Sequence, residues 1–363
     1  MTPTYTVQLP LPSTPWLALA WDGLEFLLHQ WQRGFAEARH DMLFPQAQGF
    51  SGDREYHSGD VFQRALIADV LCDLNGLLPG QLTPMLSHEV AYLLSCQRAT
   101  GGWSYFPTLP ELPPDADDLA QVLQVLWRTQ GPSMAAACEA PLAMLLEHNI
   151  HRDGSFETWI LPRPPRTPEQ ELQTAWVQAA WGSGPDHGVM ANLLYALALY
   201  DRDRFAPVIE AGVAYLQAQQ QPEGHWLGSW YEGPYYVTYV CLRLLTLAAP
   251  TAGAIDPALD FLQRQQYPDG GWGISASDPL NTALALLGLA CAKATPPPPA
   301  SIAAALAYLQ TCQAEDLAWE MQPFIRMELG RAQGQVRQVL FYGSRTITTA
   351  LVVKAACSWH GCS

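Results

Sequence analysis

Gln266-Tyr-Pro-Asp-Gly270-Gly-Trp272 closes one helical run and leads into another, and its order of residues returns along the chain. Gln97-Arg-Ala-Thr-Gly101-Gly-Trp103 and Gln220-Gln-Pro-Glu-Gly224-His-Trp226 repeat Gln, then Gly four residues on, then Trp two further. Gln313 and Trp319 keep the ends of the pattern and lose the Gly, while Asp153-Gly154-Ser-Phe156 keeps the turn with Phe as its aromatic. Turns recurring about 45 to 70 residues apart suit a fold built from two-helix units with some long loops.

What flanks the turns defines the unit. An amphipathic run precedes each one, as in Val213-Ala-Tyr-Leu-Gln or Ala307-Tyr-Leu-Gln. A much more apolar run follows, as in Ala283-Leu-Ala-Leu-Leu-Gly-Leu-Ala, and Asn192-Leu-Leu-Tyr-Ala-Leu-Ala-Leu is of the same kind. A helix apolar all round is buried and one with a polar stripe faces water, so the unit is an outer helix, a Gly turn and an inner helix. Periodicity predicts helices over roughly 15–33, 61–75, 85–97, 117–130, 134–149, 187–201, 205–220, 235–248, 256–266, 279–293, 299–313 and 345–358, with no competing strand. Six units would close into an all-α single (α/α)6 barrel with parallel inner helices, spanning 1–363 with 1–14 as an N-terminal extension. The Pro-rich stretches 107–116, 159–170 and 294–300 would lie on its rims.

One inner-helix start carries unusual charge. Pro113-Pro114-Asp115-Ala116-Asp117-Asp118 runs into Leu119-Ala-Gln-Val-Leu-Gln-Val-Leu-Trp127, gathering three carboxylates where the exposed N–H groups and the positive dipole end are felt. An acidic N-cap accounts for one of them. Three together repel each other's ionised forms, so one should keep its proton and serve as a donor.

Composition narrows the partners. Hydrophobic residues make up 49% and charged ones 15%, which points to a large buried interior or an apolar cavity for the 13 Trp, 14 Tyr and 11 Phe. A formal charge of -15 argues against nucleic acid and anionic headgroups as partners, and leaves a weak, non-electrostatic contact with membrane lipid open. The start MTPTYTVQLPLPSTPW has no basic segment ahead of an apolar core, and no run of 18 apolar residues occurs, so neither a signal peptide nor a membrane span is expected. Cys72, Cys96, Cys138, Cys241, Cys291 and Cys312 sit inside apolar helical runs without ligand spacing to His, which suggests small buried hydrophobes in a reducing cytoplasm rather than disulfides or zinc ligands.

The Gln-x-x-x-Gly-x-Trp repeats together with Asp115-x-Asp117-Asp118 resemble the class II terpene cyclases, the group of squalene-hopene cyclase and the copalyl diphosphate synthases. The segment Trp230-Tyr-Glu-Gly-Pro-Tyr-Tyr-Val-Thr238 is similar to the aromatic stretch after such turns in the triterpene cyclases. Repeats cover about residues 60 to 358, enough for one barrel where familiar members have two or three helical domains. The chain therefore looks like the monodomain meroterpenoid cyclases of the merosterolic-acid type, which act on prenylated aromatic acids.

That resemblance implies that Asp117 protonates the terminal alkene of a linear polyprenyl group, with Asp115 and Asp118 tuning it. Such an acid must be strong yet protonated: a helix N-terminus favours release, while neighbouring carboxylates and a dry cavity hold the proton on. The cavity must then shelter a cation, which aromatic faces attract by about 0.5–2 kcal/mol each. Candidates near inner-helix starts are Phe62, Trp230, Tyr231, Tyr235, Tyr236, Tyr239, Phe341 and Tyr342, each of which could equally be ordinary core. Asp186-His187-Gly-Val-Met-Ala-Asn192 opens another inner helix, so His187 or Asn192 could orient the proton of Asp117, with Asp186 as a cap. For a substrate carboxylate, Arg345, Arg337 and Arg331 are candidate partners.

Asp117-Asp118-Leu-Ala-Gln121 lacks the third acid of an Asp-Asp-x-x-Asp motif, so diphosphate ionisation by magnesium is unsupported and no metal or other cofactor is expected. A prenyltransferase on the same barrel would need an Asp, Cys and His zinc site, which no inner-helix start presents. A lipid-binding barrel with Asp117 as a mere cap is the non-enzymatic alternative.

Overall fold

In a computed structural model, residues 7–99, 101–291, 297–330, 332, 334, 336 and 338–361 are described. The chain is mostly helical. Its helices are α1 (Pro15–Gln32), α2 (Val61–Leu77), α3 (Thr83–Ser95), α4 (Ala116–Gln130), α5 (Pro132–Ala135), α6 (Glu139–His148), α7 (Pro168–Trp176), α8 (His187–Asp201), α9 (Ala206–Ala218), α10 (Tyr235–Ala248), α11 (Ile255–Arg264), α12 (Pro279–Ala290), α13 (Pro299–Thr311) and α14 (Arg345–Trp359). Six deeply buried helices form a closed ring: α2 packs on α4, α4 on α8, α8 on α10, α10 on α12, α12 on α14, and α14 returns to α2. Outside it, α3 lies against α2 and α4, α9 against α8, α11 against α10 and α12, and α1 along α14.

The Gln/Trp turns are the joints. Trp103, Trp226, Trp272 and Trp319 are fully buried, and each indole N–H donates to the carbonyl ten residues back, on Leu93, Leu216, Leu262 and Leu309, at 2.6, 2.7, 2.7 and 2.8 Å. A buried indole needs such an acceptor, and the last turn of a helix offers unpaired carbonyls. The Gln amide reaches across to the next outer helix: Gln220 donates to Ala254 O and Gln266 to Ser301 O, at 2.8 and 2.9 Å. Gly224 and Gly270 have φ of 103° and 93°, and a Cβ there would stand 2.1 Å from Pro257 O or 2.4 Å from Ala304 O. In the fourth turn Leu317 takes up φ 68° and its carbonyl accepts from Gln313, so the backbone course survives without the Gly. After three of the four turns the following inner helix ties back through a threonine: Thr238, Thr282 and Thr349 Oγ1 accept from the backbone N–H of Trp226, Trp272 and Trp319.

Three expectations need correction. The helix over 134–149 breaks into α5, a 3-10 turn at Ala136–Cys138 and α6, because Pro141 has no N–H to continue a ladder and fits the first turn of a new helix. Within the Pro-rich stretch 159–170 a further helix begins, α7. Thr167 caps it, accepting from Gln170 N at 3.2 Å while Gln170 Oε1 accepts from Arg166 N, with Pro168 at the first position. Strands also occur: β1 (His40–Leu43) pairs antiparallel with β2 (Tyr56–Gly59), and β3 (Ile325–Leu329) with β4 (Gln338–Tyr342). Four or five residues are too few to show a period of two. Of the stretches 1–14 and 294–300, residues 1–6 and 294–296 lie outside the described residues.

Candidate active site

The start of α4 is held at both ends of its first turn. Asp115 caps it, one carboxylate oxygen accepting from Asp117 N at 3.0 Å and Asp118 N at 2.8 Å. Asp117 and Asp118 are thereby placed in the first turn, 9% and 1% exposed. Asp117 faces a cavity of about 820 Å³ of empty space counted out to its mouth, whose walls include Phe62, Tyr105, Phe106, Trp159, Trp230 and Tyr231. Phe44, Trp181 and Met327 extend that wall, and among the described lining residues there is no Lys or Arg.

Both oxygens of Asp117 are engaged. Asn192 Nδ2, from α8, donates to Oδ1 at 2.9 Å, and the Tyr231 hydroxyl donates to Oδ2. Asn192 is itself fixed: its Oδ1 accepts from Arg243 Nη2 of α10 at 2.9 Å, which sets the amide so that Nδ2 faces Asp117 and Tyr236. Burial raises the Asp117 carboxyl to about 7; the Tyr231 and Asn192 hydrogen bonds pull it back, and the Asp115 charge adds to the rise. The result is an acid protonated near neutrality whose conjugate base already has two donors.

The other two carboxyls divide unequally. If all three were ionised, both Asp118 oxygens would be buried without a donor. Burial, then the charge of Asp115 and a hydrogen bond to it, hold Asp118 protonated well above the usual range. Asp115 is raised by burial to about 6, offset by donors that include Asp118 and the two capping N–H groups. Asp118 is thus the donor of that pair and Asp115 the acceptor.

The remaining sequence candidates scatter. Phe62, Trp230 and Tyr231 line the cavity, and Tyr236 stacks behind Tyr231 with ring centres 4.1 Å apart. Tyr235 does not line it: its hydroxyl donates to Gly273 O at 3.2 Å, because consecutive helical residues point about 100° apart. Tyr239 lies a turn further down α10, beside Arg243. Phe341 is 52% exposed on β4, and Tyr342, just ahead of α14, donates to Ala38 O; neither is among the residues lining the cavity. His187 binds Leu227 O at the rim through Nδ1 rather than Asp117, since the first residue of α8 projects outward while Asn192 faces in. Arg345 pairs with Asp316 at 2.7 Å and approaches Glu320, away from the cavity. Arg337 and Arg331 fall outside the described residues.

A second, polar crevice of about 1,890 Å³ opens among the C-terminal ends of the ring helices. There Asp69 and Asp73 are bridged by Lys354, at 2.8 and 2.5 Å, and by Arg128. Among the described residues no group of three or more His, Cys, Asp or Glu is arranged to hold a metal ion. No described helix is long and apolar enough to cross a membrane.

The class this ring and acid cluster resemble is also the one that comparison with known proteins returns. Residues 178–331 match the squalene-hopene cyclase C-terminal domain. Drimenyl diphosphate synthase of Streptomyces showdoensis is 30% identical over 258 residues, 68% of this chain and 42% of that one. A probable squalene-hopene cyclase of Sinorhizobium fredii is 32% identical over 246 residues, 62% and 37% of the two chains. The chain spans less than half the length of these curated relatives. In structure, the type II terpene cyclase MstE from Scytonema superposes with a TM-score of 0.72 over 96% of this chain and 98% of the other, at 20% identity, so the fold is shared. Another structure of that protein, an R337A variant with a TM-score of 0.71, holds geranylgeranyl dihydroxybenzoate as substrate.

Proposed function

We propose that this protein is a class II terpene cyclase working in a single (α/α)6 barrel domain, in which the ring helices run parallel with their N-termini at the cavity mouth and the Gln/Trp turns are its repeats. The carrying observation is Asp117: a carboxyl raised to about 7, opening into an aromatic cavity, with uncharged donors on both oxygens. Its proton goes to the terminal alkene of a folded polyprenyl chain, giving a tertiary cation. The carboxylate left behind is stabilised by Asn192 and Tyr231, which is where transition-state charge develops. Rings close as internal alkenes attack in turn, while Phe62, Trp230, Trp159 and Phe106 offer π-faces to the moving charge and exclude water. Substrate and product are isomers and no cofactor is required.

The chain is carried on an aromatic acid, by analogy with the geranylgeranyl dihydroxybenzoate in the MstE complex. The enzyme works in the cytoplasm at the membrane surface, where such substrates dissolve; Leu43, Tyr56 and Phe341 are exposed on the hairpin strands. The test is incubation of the pure protein with geranylgeranyl dihydroxybenzoate, geranylgeranyl diphosphate and squalene, with products resolved by mass and NMR. A cyclic product of unchanged mass is expected. Release of diphosphate, or no conversion of any of the three, would overturn the reading.

A further inference from the structure

Cyclisation that begins with a proton must end by giving one up, and the cavity wall holds a half-buried pair not yet used. Tyr105 lines the cavity. Its phenol oxygen accepts from Gln63 Nε2 at 2.6 Å, so its own proton is free to point elsewhere, and His40 Nδ1 lies 3.0 Å away. Gln63 cannot take that proton while its amide N–H faces the phenol, and the same amide also donates toward Tyr342. With His40 as the tautomer protonated on Nε2, Nδ1 accepts the Tyr105 proton. Burial lowers His40 to about 4, leaving the ring neutral and able to accept. Stacking on Tyr342, with ring centres 4.8 Å apart and planes at 23°, holds the imidazole in place.

We infer that Tyr105 is the base that ends the cyclisation, with His40 acting through it as the acceptor of the phenol proton. This rests on the cyclase reading above. A C–H bond next to the final cationic carbon breaks and its electron pair becomes the new alkene. The proton goes to a lone pair of the Tyr105 oxygen as the phenol proton passes to His40 Nδ1, giving an imidazolium. His40 is half-buried on β1, and it returns the proton to water there, balancing the one that Asp117 draws at the start of the next turnover. A tertiary cation makes its neighbouring C–H acidic enough for a neutral oxygen, and passing the charge to imidazole makes the step irreversible within the cavity.

The test uses the whole chain with whichever of the three probes above the parent converts. Tyr105→Phe keeps the ring and removes the oxygen. It should still consume substrate at no less than about a tenth of the parent rate, but give mixed alkene isomers or alcohols from capture of the cation by water. His40→Asn should shift products the same way to a smaller degree, and the double variant should match Tyr105→Phe, since both residues serve one step. A single parent-like product from Tyr105→Phe would overturn the assignment while leaving the cyclase reading intact. Tyr105→Phe that folds, judged by an unchanged melting temperature, yet consumes no substrate would also overturn it, since initiation does not pass through Tyr105. A parent that converts none of the probes overturns the cyclase reading and the base with it.

Discussion

Two groups of buried aspartates sit at opposite ends of the ring and behave in opposite ways. Burial pushes Asp117 and Asp69 upward alike. At the lower end Lys354, Arg128 and Arg243 overcome that push and hold Asp69 ionised, below the ordinary range. At the upper end the neighbours are other carboxyls and uncharged donors, and Asp115, Asp117 and Asp118 all rise. Position in a low-dielectric interior does not decide what a carboxyl does; the charge of its partner does. One end is a structural clamp and the other a proton store.

The largest expected effect breaks the upper end. Asp117→Asn keeps size and hydrogen-bond reach but removes the transferable proton, so turnover of the cyclised probe should fall by at least roughly a thousandfold, about 4 kcal/mol of barrier. The fold should remain, as a melt compared with the parent would show. A folded variant that keeps more than about a tenth of the rate would reduce the acid cluster to a helix cap.

Breaking the lower end should cost stability instead. Lys354→Met leaves two carboxylates facing each other across Arg128, and should lower the unfolding free energy by about 3 kcal/mol in denaturant titration. The pH dependences have opposite signs. For Asp69, depressed in the fold, the contribution is present at neutral pH and is lost as pH falls below the ordinary Asp range. For Asp118, raised in the fold, stability is lost as pH rises through and above that range, so Asp118→Asn should melt higher than the parent at pH 8. Equal pH responses in the two variants would erase the contrast.

Arg243 is where the ends meet, since it lines the lower crevice and fixes Asn192 beneath Asp117. Arg243→Met should free the amide to rotate and lower kcat by about ten- to a hundredfold with little change in KM, roughly 1.4–2.7 kcal/mol. The smallest effect is in the parent itself: kcat should be level at low pH and decline as Asp117 ionises through about 7. A rate that climbs between pH 7 and 8 would mean the reacting group is a base.

The helices and the acid cluster were legible because their signals are local. Gln266 to Trp272 and Asp115 to Asp118 each fit within one turn, and fixed spacing there implies fixed geometry. The cavity wall was not, because Phe44, Tyr105 and Trp159 come from loops and Trp181 from a π-helical turn, which meet through tertiary packing. Tyr231 and Tyr235, four residues apart, looked equivalent, yet one bonds Asp117 and the other Gly273. Some signals were present and unread. Arg243 is the one charged residue in the apolar run Tyr235–Ala248, and a lone cation there calls for a buried partner. Thr238, Thr282 and Thr349 each stand near the start of the inner helix that follows a Trp turn, though at unequal distances from the Trp.

Leu317 gives the joints a weakest member. Where Gly224 and Gly270 press on the backbone of the next outer helix, the fourth turn carries a side chain in left-handed backbone, and its Gln313 crosses to a carboxylate of Asp22 on α1 at 3.4 Å where Gln220 and Gln266 cross to a main-chain carbonyl. Strained backbone and a long side-chain contact open at lower cost than a packed, main-chain latch. Breathing of the ring should therefore begin at the seam between α13 and α1, and amide exchange there should run ahead of the same positions around Gly224 and Gly270, making this seam the place where the molecule first lets go.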